Sequence, residues 1–292
     1  LFGFTQAPQD NAAMSLTVFH PLTSRALVAV RGDWRPFLDN LLSNAVGELE
    51  PGQARAALLL TPQGKLLFDL IVLAQADGAL LDVLAERRES LIQRLKLYRL
   101  RAKIEIEPAD GAVWSAEGER PGPDWIADPR LEALGWRSYG VQPPAGATIK
   151  DEAAYRARAL SLGVPDPGLD CVPDKTFPLE ANFDLLNAID FHKGCYIGQE
   201  TTSRMKRRSA VKTRMAPIAF DGPAPAYGSP VMAGELRAGE VLSGQDGRAM
   251  ALLRLDRALG GRLTVDGRAA TLDIPPWWPE GALPGPGMEE PD

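Results

Sequence analysis

Residues 177–214 read FPLEANFDLLNAIDFHKGCYIGQETTSRMKRRSAVKTR, a stretch that holds one of the chain's two cysteines beside a run of basic residues. Cys195 stands between Gly194 and Tyr196, with Gly198 three residues further on. Glycines at such positions let the backbone turn tightly and let another molecule come close. His192 and Lys193 precede the cysteine, and a basic helix is expected from Gln199 to Arg208. Cationic neighbours and a helix N-terminus both favour thiolate over thiol. A nucleophile needs a thiolate, and so does a soft iron ligand. These residues do not choose between the two, and the ordinary fate of a lone cysteine is that of a small buried hydrophobe.

Working outward, residues 193–214 hold seven Lys or Arg against the single acid Glu200, in a chain whose formal net charge is −6. The rest of the chain therefore carries −12, and so local a reversal points to an acidic partner. Arg204, Lys206, Arg207 and Arg208 are the candidate contacts, with a solvated helix face as the plain alternative. No aromatic interleaving supports nucleic acid. The chain has only two cysteines, Cys171 and Cys195, and two histidines, His20 and His192. That excludes a disulfide framework and a self-contained four-thiolate metal or cluster site. Cys171 lies in a proline-flanked loop and reads as incidental. No apolar run reaches the roughly 18–20 residues of a membrane-spanning helix. The first residues lack a secretory signal or an Arg-rich transit peptide, and Met14 is a candidate natural start. These features together imply a cytoplasmic, bacterial-type protein.

The N-terminal side alternates strand and helix. Residues 25–30 predict a strand, and a helix begins after Asp33 as N-cap with Phe37, Leu38, Leu41 and Leu42 at helical spacing. Two apolar runs, 54–60 and 65–73, flank Thr61-Pro62-Gln63-Gly64 as a hairpin. Residues 79–83 predict another strand, followed by a helix through Leu84, Leu91, Ile92 and Leu95. Residues 101–107 alternate as a half-buried strand. The order β-α-β-β-β-α-β defines an α+β domain with a mixed or antiparallel sheet. Residues 117–129 read as a loop, and 151–162 as a helix stopped by Gly163 and Pro165. Beyond Lys212, short strands at 214–220, 237–242, 249–255, 262–265 and 269–274 predict a small β-barrel or sandwich. The expected division is 14–210 for the α+β domain, itself two subdomains, 211–274 for the barrel, and 275–292 for a Pro/Gly-rich tail. That tail is expected to be disordered or loosely docked, with Trp277-Trp278 as a docking patch or a fold-back contact.

The run Lys193-Gly194-Cys195-Tyr196-Ile197-Gly198-Gln199-Glu200 resembles the signature octapeptide of the YgfZ-like family. The lead-in Pro178-Leu179-Glu180-Ala181-Asn182 and the trailing Thr202-Ser203-Arg204 extend the resemblance. So do the Pro62-Gln63-Gly64-Lys65 turn, the Gly163-Val164-Pro165 helix end, and residues 228–231 through 251–254. The spelling of the octapeptide is especially similar to the mitochondrial-type branch. The resemblance implies an aminomethyltransferase-like, tetrahydrofolate-binding fold: α+β subdomains and a C-terminal β-barrel around a central folate-sized cavity. It also implies a part in maturing [4Fe–4S] proteins alongside an A-type iron–sulfur carrier.

Two departures bear on the cofactor. Folate-using relatives carry a Glu that holds the pterin where this chain has Ser161, a loss worth on the order of 1.5–3 kcal/mol of charged hydrogen bonding. Of an Asp-Asp pair after the hairpin only Asp69 remains. Asp69, Asn182 and Gln199 are the candidate cavity residues, and Ser161 weighs against tetrahydrofolate. The leading expectation is a non-catalytic assembly factor in which Cys195 gives one ligand to a transient cluster shared with a carrier. Gln199 and Glu200 would shape the loop, and Lys193 and Arg204 would tune the thiolate or meet the partner. The rival is an enzyme, a folate-dependent one-carbon (aminomethyl)transferase or a demethylating activity, acting through Asp69.

Overall fold

The computed structural model describes residues 17–207 and 211–283. β1 (Val18–Pro21) and β2 (Arg25–Gly32) lead into α1 (Trp34–Leu41). In α1 the buried residues Trp34, Phe37, Leu38 and Leu41 share one face, at the spacing of an amphipathic helix. Asp33 takes the expected N-cap position, but its carboxylate makes no capping bond; its backbone N–H donates to the Lys103 carbonyl. β3 (Ala54–Leu60) and β4 (Leu66–Ala74) pair antiparallel across the expected turn. Thr61 N–H to Lys65 O and Gly64 N–H to Thr61 O close that turn.

β5 (Gly78–Leu84), α2 (Arg88–Arg99) and β6 (Ile104–Ala109) complete this unit. Leu84 ends the strand instead of opening the helix, and the last strand begins at Ile104 instead of Arg101. The sheet order is β3-β4-β5-β2-β6, antiparallel throughout. Leu38 and Leu42 from α1 and its exit, and Leu91 and Leu95 from α2, pack with Leu59 and Leu81 of the sheet. Each such fully buried leucine stabilises the fold by roughly 1.5–3 kcal/mol.

Two α+β subdomains were expected, but the individual strands of the second sheet were not read from the sequence. That sheet is built from β7 (Val113–Glu117), β8 (Ile126–Ala127), β9 (Trp136–Tyr139) and β10 (Thr148–Ile149), in the order β10-β1-β7-β9-β8. Its strands are too short to show a period, so part of it falls where a loop was read. α3 (Glu152–Ser161) follows, capped by the Asp151 carboxylate accepting from Ala154 N at 2.9 Å. α4 (Pro167–Asp170) then leads into a run of turns.

α5 (Gln199–Arg207) matches the expected basic helix; Arg208 lies outside the described residues. The barrel closes through β11 (Thr213–Phe220), β12 (Pro230–Ala233), β13 (Leu236–Gln245), β14 (Arg248–Arg254), α6 (Leu255–Ala258), β15 (Leu263–Val265) and β16 (Arg268–Leu272). Strand order around it is β11-β14-β13-β12-β15-β16, and β12, with Pro230 at its start, is the strand the periodicity missed. The chain beyond Pro275 also differs from expectation. As far as residue 283 it packs down: Trp278 and Ala282 join the barrel core, and Trp277 Nε1 donates to Leu162 O at 2.7 Å. The tryptophans are thus a fold-back contact and not an open docking patch. Gly163, at φ +73, leaves room there for Pro275, whose ring a Cβ would strike.

Candidate functional site

The base of the Cys195 loop is assembled from three directions. Ser43, just past α1, donates from its hydroxyl to Ala188 O at 2.6 Å and accepts from Leu58 N at 2.9 Å. Asn44 Nδ2 reaches both Ala56 O and Asn187 O. Asp190 N–H donates to Ser43 O, and the Asp190 carboxylate accepts from His192 N at 2.8 Å. The Ser43 and Asn44 groups are buried and would otherwise be unsatisfied dipoles, so the loop is fixed at its root.

Lys193 is part of this clamp. Its Nζ donates to Asp39 O (2.6 Å), Asn44 O (2.8 Å) and Leu42 O (3.0 Å), with Asp39 Oδ1 at 3.4 Å, and its side chain is 3% exposed. An ammonium there satisfies the free carbonyls at the C-terminus of α1 and meets the negative end of the helix dipole. Desolvation pulls its pKa below the usual lysine range, with Asp39 acting in the opposite sense. Lys193, expected to tune the thiolate or meet a partner, has its ammonium held by carbonyls of α1 and its exit. His192 points to solvent at 99% side-chain exposure, 3.8 Å from Asp190.

The far side of the loop is fixed by close approach. Gly198 has φ +82, and a Cβ there would lie 2.5 Å from Thr61 O and 3.0 Å from the Cα of Gly64. Gly64, at φ +78, would in turn strike Thr201. The loop and the hairpin turn thus touch glycine to glycine, which joins two motifs the sequence presented separately. Tyr196 is buried beside Thr202, and burial pushes its phenol up to about 12. Ile197 packs on the core under α1 and α2. Between these anchors Gly194 and Cys195 are exposed, and a Cβ on Gly194 would meet nothing. The arrangement is a rigid root carrying one accessible thiol at its tip.

The other expected residues scatter. Gln199 and Glu200 open α5; Glu200 is paired loosely with Arg204 at 3.7 Å. Lys206 reaches inward to Asp184 at 3.3 Å, whereas Arg204 and Arg207 face outward. Asn182 is fully buried at φ +61; it donates to Met215 O at 2.7 Å and accepts from Arg214 Nη1, so it ties the turn region to the barrel.

Asp69 belongs to a network that sequence reasoning missed. Arg25 binds Asp69 (2.7 Å) and Asp82 (2.6 Å), while Arg137 binds Asp82 (2.8 Å) and Asp128 (2.7 Å). Arg130 adds a further bond to Asp128, and Tyr155 accepts from both Arg130 and Arg137. These partners fasten the first sheet to the second, and paired arginines hold Asp128 below the usual carboxylate range against its burial. The space left beside Asp69 is about 10 Å³, and the pocket next to Arg25 and Tyr155 is about 30 Å³. A small-molecule site occupies roughly 300–1,000 Å³. Neither of these two spaces is of folate size, since paired side chains of opposite charge occupy the region between Arg25, Asp69 and Arg137. Asn182 and Gln199 line neither space, so the three expected cavity residues are not brought together. Cys171 borders the smaller space, and burial pushes its thiol up. Polar residues such as Arg137 and Asp82 carry no sequence pattern that announces pairing across 55 positions.

Fold and site define a class: an aminomethyltransferase-like body with a closed C-terminal barrel and one presented cysteine. Residues 212–280 match the family described as CAF17, C-terminal beta-barrel domain. The glycine cleavage system aminomethyltransferase T from Bartonella henselae superposes with a TM-score of 0.73 over 90% of this chain and 87% of that one, at 16% identity. That likeness concerns the fold. Two relatives are similar along nearly their whole length. The mitochondrial iron–sulfur cluster assembly factor IBA57 of Homo sapiens is 31% identical over 88% of this chain and 84% of its own. That of Mus musculus is 32% identical over 94% and 88%. The chain belongs to the IBA57 family of iron–sulfur cluster assembly factors. The expectation of a bacterial-type cytoplasmic protein is overturned by these relatives, which are mitochondrial proteins.

Proposed function

We propose that this protein acts in iron–sulfur cluster assembly by presenting Cys195 as one thiolate ligand to a cluster shared with a carrier protein, on its way to [4Fe–4S] clients. The observation that carries the reading is the exposed thiol on a loop whose root is locked from α1, the hairpin turn and the turn region. Among the described residues no group of three or more His, Cys, Asp or Glu could hold a metal. A cluster at Cys195 therefore takes its other ligands from the partner, a geometry suited to transfer because neither protein encloses it. Cys195 loses its proton on binding iron, and the exposed tip lets that proton leave to water. The outward side chains Arg204 and Arg207 would meet an acidic surface of the carrier. The pairing of the Asp69 carboxylate with Arg25 favours a structural duty for Asp69 over a catalytic one, in keeping with an assisting role.

The test is anaerobic mixing with a [2Fe–2S]-loaded A-type carrier, followed by visible circular dichroism and by size. A new spectrum in a heteromeric complex, both lost in Cys195→Ser, supports the reading. An identical spectrum and complex with Cys195→Ser would sink it.

A further inference from the structure

The end of α2 breaks the rule by which helices usually finish. A glycine commonly takes the left-handed position after the last helical turn. Here a leucine, Leu100, stands after the last turn instead, with positive φ but outside the left-handed helical region, at φ 42 and ψ −104, and 88% of its surface is exposed. A branched side chain in so sparsely populated a conformation costs on the order of 1–3 kcal/mol, and strain of this kind clusters at working surfaces. Leu97, one turn earlier, is 70% exposed. These are the two most exposed large apolar residues among those described.

The charge around them is one-sided. Between Arg94 and Lys103 the chain reads RLKLYRLRAK, five cations with no carboxylate, in a protein of net charge −6. All five cations are exposed. None of Arg94, Lys96, Arg99, Arg101 or Lys103 makes a side-chain hydrogen bond or ion pair among the described residues. Beside them runs an open groove of about 530 Å³ between α1 and the α2–β6 connection, floored by Phe37, Leu41 and Tyr98 and edged by Arg101 and Lys103. Asp33 is the one acid on its rim. Asn40 and Leu41 of this groove belong to the last turn of α1, whose carbonyls Lys193 caps. The groove and the Cys195 loop are thus mounted on the same helix end.

We infer that this groove docks an acidic segment, carrying at least one apolar side chain, of the same partner protein that meets Cys195. Two unpaired cations, Arg101 and Lys103, on the edge of a concave apolar floor, with Arg94, Lys96 and Arg99 nearby on α2, fit a chain segment that combines carboxylates with a buried anchor. An anionic membrane would suit the cations and the two leucines, but it would leave the groove floor and the shared mounting with Cys195 unused. The inference rests on the cluster-sharing reading, and its test separates the two.

The probe is the [2Fe–2S]-loaded A-type carrier, titrated against the full chain at two salt concentrations. Arg101→Glu/Lys103→Glu and, separately, Leu97→Ser/Leu100→Ser are expected to weaken the complex about tenfold or more, with the charge variant also losing salt sensitivity. Leu100→Gly is expected to weaken binding while raising the melting temperature, because glycine adopts that backbone without strain. Affinity unchanged in all three variants, with Cys195→Ser abolishing the complex, overturns the groove alone. Wild-type binding by Cys195→Ser, with the groove variants weakened, overturns the cluster reading and upholds the groove. Sedimentation with anionic phosphatidylglycerol vesicles that the groove variants abolish, while carrier affinity stays unchanged, overturns the inference in favour of a membrane.

Discussion

Replacing Lys193 with methionine keeps the length and apolar stem of the side chain and deletes the ammonium. Three carbonyl oxygens at 2.6–3.0 Å then lose their donor. A hydrogen bond to a charged group contributes about 1.5–3 kcal/mol, so the gross loss is several kcal/mol. Keeping an ammonium out of water costs several kcal/mol in the native protein, and that cost disappears with the charge. The net destabilisation is about 2–3 kcal/mol, since the carbonyls near Asp39 remain partly open to water. For a chain of this size that corresponds to a fall in Tm of about 4–12 °C. Urea unfolding followed by circular dichroism reads the stability. Alkylation of the native protein by iodoacetamide at neutral pH reads the thiol, Cys171 being buried. The alkylation rate is expected to change by less than about twofold, because the ammonium serves α1 and not the sulfur. Unchanged stability together with a tenfold slower alkylation would refute the reasoning and return Lys193 to the thiol.

Gly198→Ala forces a Cβ against Thr61 O and the Gly64 backbone at φ +82; it is expected to destabilise by about 2–4 kcal/mol and to make the 187–198 loop susceptible to limited proteolysis. Arg137→Met leaves Asp82 and Asp128 short of a partner in the interior, for an expected loss of about 3–5 kcal/mol in urea unfolding. Asp170, buried against Asp166 N and Ser243 N, has its carboxyl pushed up to about 6 by desolvation. A folded-state value raised above the unfolded one stabilises at low pH and ceases to do so as pH rises through 6. The stability of Asp170→Asn relative to the native chain should therefore improve from pH 4 to pH 7 by on the order of 2–3 kcal/mol; a difference independent of pH would show that Asp170 ionises freely in the fold.

Much of the first sheet and the barrel was legible because the signals there are local. Alternation in 104–107, helical spacing in α1 and the Thr61–Gly64 turn each specify their own conformation. The second sheet was not legible, since two-residue strands such as Ile126–Ala127 take their conformation from neighbours. At the site, the sequence singled out Cys195 and its two flanking glycines, and only the fold shows that their duties differ: Gly194 leaves space, whereas Gly198 fits against Gly64. The seat of Lys193 was hidden for the same reason. Its charge is plain in the sequence, but the carbonyls that take it up lie some 150 positions earlier. The Arg25–Asp82–Arg137 network was hidden altogether, because pairing across two sheets leaves no periodic trace.

The tie between the turn region and the barrel bears on how the protein comes off the ribosome. Glu180 O accepts from Met215 N, and Arg214 grips Asp184 with both terminal nitrogens. Both anchors sit on β11, which pairs with β14 and with β16 as far as Leu272. The turn at 180–184 therefore lacks these two anchors until β11 has emerged, and β11 lacks its last pairing strand until about residue 272, several seconds after Cys195 at roughly 5–20 residues per second. A chain cut short before the barrel carries the thiol without this brace. Completion of the barrel is thus the last step in bracing the strand of turns that runs up to the cysteine loop, whose other supports on α1 and the hairpin turn are made first.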